Sequence, residues 1–129
     1  MRALLTFALI ATAVPVSADP LIVKTGETWL FALDHGDPVR AHRVAATAKP
    51  AKGKVKVAVR ALFGTTMTIL SNSPQGYTFK AELIGADGKA VTARTCTLPP
   101  KNQPALESWP QKAVAVRIGS FKSAKGGLC

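Results

Sequence analysis

Residues 54–63 read KVKVAVRALF, and their alternation constrains the chain more than any other feature. Val55, Val57, Val59, Ala61 and Phe63 fall on one side. Lys54, Lys56, Ala58, Arg60 and Leu62 fall on the other. Successive side chains of a strand point to opposite faces, so this pattern predicts a strand with one buried and one wetted face. A sheet with one apolar face must bury it against a second layer. Gly64 ends the run.

The flanking segments carry the same signal. Residues 66–70 set Met67 and Ile69 against Thr66 and Thr68, and residues 71–76 (SNSPQG) are dense in turn formers. Tyr77, Phe79, Ala81 and Leu83 share a face opposite Thr78, Lys80 and Glu82. Asp87-Gly88 then stands before a run at 90–97, which predicts a hairpin. Residues 28–33 are aromatic and apolar. Residues 113–121 alternate Val114, Val116 and Ile118 against Ala113, Ala115 and Arg117, and residues 39–46 form a weaker strand signal. Residues 99–104 (PPKNQP) predict a loop, because proline cannot donate to a ladder. About seven short runs parted by Gly, Pro and Asn turns predict an all-β protein, a small immunoglobulin-like β-sandwich.

The ends bound the domain. Residues 1–18, MRALLTFALIATAVPVSA, combine Arg2, an uncharged apolar stretch and the small residues Val16-Ser17-Ala18, the pattern of a signal peptide cleaved before Asp19. The apolar stretch is shorter than the roughly 20 residues a membrane span needs, so no transmembrane span is expected. Residues 19–129 then form a single domain, periplasmic or secreted. The two cysteines, Cys96 and Cys129, both fall in it. An even pair in an oxidising compartment predicts a disulfide. Closing a loop of about 33 residues, it constrains the unfolded chain by roughly 3.5–4 kcal/mol in the chain-entropy picture.

Charge is distributed unevenly. Beyond residue 18 there are sixteen Lys or Arg against seven Asp or Glu, a net of +9. Residues 38–63 hold Arg40, Arg43, Lys49, Lys52, Lys54, Lys56 and Arg60 and no acid. Residues 108–129 add Lys112, Arg117, Lys122 and Lys125, again without an acid. Such a patch concentrates anions and speeds encounter with acidic partners, although a basic strand face also serves to keep sheet edges apart. An exported chain meets anionic lipid, lipopolysaccharide or acidic protein. Nucleic acid is not an expected partner, because the basic run lacks the interleaved aromatics that stack on bases.

Catalytic patterns are weak. There is no G-x-S-x-G elbow, no glycine-rich phosphate loop and no paired glutamates, and both histidines, His35 and His42, fall in one early region. Asp34, His35, Asp37 and His42 are the one cluster of metal-capable side chains, but Asp and Gly there also suit a turn, and Arg40 and Arg43 would repel a cation. No metal site, cofactor or enzymatic activity is expected. Most of the aromatics fit strand positions. Trp109, in the loop-like Glu107-Ser108-Trp109-Pro110, either covers the end of the core or anchors a partner.

The run from Gly64 to Asn72, followed by Tyr77-Thr78-Phe79-Lys80-Ala81, resembles the central strands of small exported β-sandwich proteins of proteobacteria. The resemblance implies a periplasmic immunoglobulin-like sandwich and no particular activity. Lysozyme inhibitors are also small exported β proteins, but their basic target suits a +9 chain poorly. The expectation is a non-enzymatic binding module that engages an acidic envelope component through residues 40–60. The alternatives are an accessory subunit of an envelope complex, using an apolar edge or Trp109, and a small metal-binding protein using His35 and His42.

Overall fold

The computed structural model describes residues 19–125, which form nine strands and no helix. In chain order these are β1 (Leu21–Lys24), β2 (Thr28–Asp34), β3 (Asp37–Arg43), β4 (Lys54–Arg60), β5 (Thr65–Ser71), β6 (Gly76–Ile84), β7 (Ala90–Ala93), β8 (Ala105–Trp109) and β9 (Ala115–Ala124). They make two antiparallel sheets, ordered β1-β9-β6-β7 and β3-β2-β4-β5-β8, packed face to face as a β-sandwich. The segment expected to be a signal peptide and the C-terminal Cys129 lie outside the described residues.

Alternation builds the interior. On β4 the three valines are buried, and the register sets Val55 beside Ser71, Val57 beside Ile69 and Val59 beside Met67. Phe79, Ala81 and Leu83 of β6 face them from the other sheet with Val116 and Ile118 of β9. Phe121 joins the layers: its ring stacks on Phe79 at 5.2 Å and meets Phe31 of the opposite sheet at 5.8 Å. Its place departs from strict alternation. Between the Thr78–Lys122 and Lys80–Gly119 pairs, β9 carries one extra residue, and Ser120 takes a positive φ of 55°. The bulge turns Phe121 inward, where Ser120 would otherwise point.

Two strands escape the sequence reading. β1 is four residues long, too short to establish a period, yet Leu21 and Val23 are buried against β9. β8 has the pattern Ala105, Glu107, Trp109 inward, and an acidic residue at an inner position disguises it as loop. Trp109 is a core residue, 7% exposed, with its indole N–H donating to the Arg94 carbonyl at 2.9 Å. It is therefore not an exposed anchor.

Three runs also end differently from the expectation. β4 stops at Arg60, so Phe63 is not in the core: it stands 91% exposed with φ +51°. β7 stops at Ala93 rather than 97. Beyond it the Cys96 N–H donates to the Glu107 carboxylate of β8 at 2.6 Å, and backbone pairing with β6 resumes at the Leu98–Tyr77 bridge. Val114, expected to face inward, precedes β9 and is 48% exposed.

Candidate anion-binding face

The seven cations of residues 40–60 divide among β3, the crossover at residues 44–53 and β4. β3 and β4 both pair with β2, one on each side, and both run antiparallel to it. They are therefore parallel to each other, and the crossover must travel back along the sheet. The Lys56 ammonium, on the outward face of β4, donates to the Ala46 carbonyl at 2.6 Å, which fixes the crossover over the outer face of the sheet. Asn72 donates to the Pro50 carbonyl and pins its far end. Lys49 and Lys52 stand exposed along this path.

On β4, Lys54, Lys56 and Arg60 project opposite the buried valines, as the alternation predicts. Lys54 and Arg60 lie about 20 Å apart at the strand rise of roughly 3.3 Å per residue. Arg60 does not extend freely. Its guanidinium donates to the Glu27 and Val59 carbonyls and to the Thr28 hydroxyl at 2.8–3.0 Å, and so ties β4 to the start of β2. Arg40 occupies a bulge in β3 with φ +53° and is exposed. Arg43 pairs with Trp29, one residue out of phase with the outward His42–Leu30 pair, and reaches the Glu27 carboxylate at 3.5 Å.

Glu27 is the acid that the charge count over residues 38–63 misses, because β2 brings it to the patch from outside that window. The Trp29 indole N–H first, then the Lys24 amide and the Arg43 and Lys24 charges, hold its carboxyl below the ordinary value against the opposing effect of burial. The patch thus keeps a strong excess of positive charge. Among the described residues Arg40, Lys49, Lys52 and Lys54 are held by no other side chain, and they leave most of that excess to solvent. Among the described residues, none of the seven cations lines the grooves beside Pro20, Pro99 or Cys96.

The second basic stretch lies on the other sheet or beyond it. Arg117 of β9 is paired with Glu82 of β6 at 2.7 Å, and Lys112, Lys122 and Lys125 are exposed. The histidines do not converge. His35 sits at the tip of the β2–β3 hairpin against Asp34, and His42 pairs with Leu30 more than about 13 Å along the strands, its ring beside the Arg40 carbonyl. No group of three metal-capable side chains occurs among the described residues. Among them, too, no helix is long and apolar enough to cross a membrane.

Cys96 is half-buried at the mouth of a groove it shares with Arg94, Thr95, Thr97 and Glu107. Glu107 is a carboxylate 5% exposed, and burial pushes its pKa above the ordinary value, although the Cys96 amide opposes this. Comparison with protein-family models, with curated proteins and with solved structures returned no match.

Proposed function

We propose that this is a non-enzymatic, exported binding module whose five-stranded sheet engages an anionic component of the cell envelope. The observation that carries the reading is the strand β4, whose valines are buried while Lys54, Lys56 and Arg60 face outward beside the exposed Arg40, Lys49 and Lys52. Exposed charges act through solvent, so binding should weaken as the screening length falls from about 10 Å at 0.1 M salt to about 3 Å at 1 M. The test is retention on lipopolysaccharide or anionic vesicles. Lys49→Glu, Lys52→Glu and Lys54→Glu together should abolish it, while Lys101→Glu, Lys122→Glu and Lys125→Glu should matter less. Arg60 is left unchanged because its guanidinium ties two strands. Equal retention of both variants would reduce the face to a solubilising one.

Export enters the same proposal. The recovered protein should begin at Asp19 by mass spectrometry, and non-reducing digestion should join the peptides holding Cys96 and Cys129. Cys96→Ala should then cost roughly 3.5–4 kcal/mol. A second reading, an accessory subunit of an envelope complex, rests on β8, an edge strand whose Leu106 is 66% exposed.

A further inference from the structure

The connection between β4 and β5 carries two apolar side chains that the described residues leave exposed. Leu62 is 52% exposed and Phe63 is 91% exposed. Phe63 also takes φ +51°, a conformation that bulky residues adopt at a cost and that Gly or Asn accepts readily. The base of the loop is firm. The Thr66 hydroxyl donates to the Leu62 carbonyl at 3.0 Å, and Gly64 lies so close to the Trp109 and Pro110 carbonyls that it has no room for a Cβ. A rigid base holding an exposed aromatic in a costly conformation fits a residue shaped for contact outside the chain.

The surroundings indicate what it meets. Thr65 donates to the Gln111 carbonyl and accepts from the Ala113 amide, which holds the segment carrying the exposed Lys112 against the base of the loop. The β1–β2 turn joins the same end through Gly26 to Val59 and Thr25 to Val114, bringing Lys24 and the half-exposed Val114. Two carboxylates belong to this end. Glu27 is engaged by Trp29 and Arg43, and Asp87 caps its own turn next to Lys89. A small apolar point with cations at the same end of the sandwich is the chemistry of a bilayer interface, where acyl chains take the point and anionic headgroups meet the cations.

We infer that Leu62 and Phe63 insert into the surface of a bilayer containing anionic phospholipid, with Lys112 and Lys24 at its headgroups. This rests on the anionic-surface reading above and narrows it to lipid, met end-on by the β4–β5 loop. Withdrawing two such side chains from an apolar interface should lower partitioning about 10- to 100-fold.

The experiment uses the purified protein as the cell processes it, its N-terminus fixed by mass spectrometry, with phosphatidylglycerol vesicles. The wild type should cosediment at 0.1 M salt and keep a reduced fraction at 1 M. Leu62→Ser with Phe63→Ser should lose at least tenfold at low salt and all binding at high salt while melting at or above the wild-type temperature. Phe63→Trp should show a blue-shifted emission with vesicles and be quenched by bromines on the acyl chains. Vesicle binding by the serine variant equal to wild type, or an unshifted Phe63→Trp, overturns the inference. Retention of the wild type on a soluble polyanion such as polyphosphate, lost in the Lys49, Lys52, Lys54 variant, together with indifference to vesicles, overturns it while leaving the anionic-partner reading intact. Concentration-dependent dimerisation that the serine variant abolishes assigns the tip to a second copy of the chain and also overturns it.

Discussion

Two turns of the five-stranded sheet solve the same problem by opposite means. The β2–β3 hairpin turns through Asp34-His35-Gly36-Asp37, with His35 at φ +53° and Gly36 at φ +85°. Its residues are polar or flexible, the choice that a tight turn with two left-handed positions favours. The β4–β5 loop also needs a left-handed residue before its glycine, yet it places Phe63 there and leaves the ring in solvent. In the first turn local chemistry and backbone agree. In the second they conflict, and among the described residues no packing of the ring offsets the conflict, which is the ground for assigning the tip to contact beyond the chain. The glycines, by contrast, behave alike. Each meets a carbonyl of the chain, Gly36 that of Phe121 and Gly64 that of Trp109, and each has positive φ.

The largest effects should therefore come from the shared element. Gly64→Ala forces a Cβ into the Trp109 and Pro110 carbonyls and strains a φ of +103°, and Gly36→Ala does the same against Phe121, whose amide bonds the Gly36 carbonyl at 2.9 Å. Both should destabilise by more than about 2 kcal/mol, measured by urea unfolding. A loss under about 0.5 kcal/mol at either position would show that the loop relaxes away, and the firm base claimed for the Phe63 tip would fail with it.

The contrast between the turns is sharpened by replacing the left-handed residue. Phe63→Asn removes a ring that buries almost nothing and supplies a residue tolerant of positive φ, so it should stabilise by about 0.5–1 kcal/mol. His35→Asn exchanges one tolerant residue for another and gives up only an exposed contact to Asp34, so it should change stability by less than about 0.5 kcal/mol. If Phe63→Asn destabilises as much as a core truncation, the ring has a structural partner and the conflict is only apparent.

The same contrast explains what was legible in the sequence. The strands β4 through β6, whose inner residues carry no charge and are apolar apart from Thr65 and Ser71 at the ends of β5, are written in their alternation, and the Asp87-Gly88 hairpin in its turn chemistry. β8 was not, because Glu107 occupies an inner position, and no local rule admits a carboxylate there. The bulge at Ser120 shifts alternation by one residue and hid the inward turn of Phe121, while Val114 keeps the inward parity but falls before β9 begins, where no neighbouring sheet covers it. The cations were legible as a run. Their separation was not, since the tie of Arg60 to β2 and the approach of Glu27 to Arg43 depend on strand pairing across sequence-distant residues.

The smallest effects distinguish two carboxylates that repeat the theme of agreement and conflict. Glu27 has its donors, and its pKa lies below the ordinary 4.5. It adds stability above that value, and the gain is lost as pH falls through its lowered folded pKa. Glu107 is buried among β8's inner residues with one amide to hold it, and its pKa lies above 4.5. Its ionisation opposes folding at neutral pH, and that penalty fades as pH falls from the raised folded value toward 4.5. Glu107→Gln keeps an acceptor for the Cys96 amide while removing the charge. It should therefore melt higher than the wild type at pH 7.5, with the gap closing by about pH 4. Glu27→Gln keeps an acceptor for Trp29 but loses the pair with the two-thirds exposed Arg43, so it should melt slightly lower at pH 7.5, by no more than about 1 kcal/mol of stability, and match the wild type near pH 3. Melting curves of the three proteins between pH 3 and 8 decide the matter. Two variants displaced from the wild type in the same direction at pH 7.5 would mean that Glu107 is held by partners as good as those of Glu27, and the strand β8 would then carry its acid without conflict.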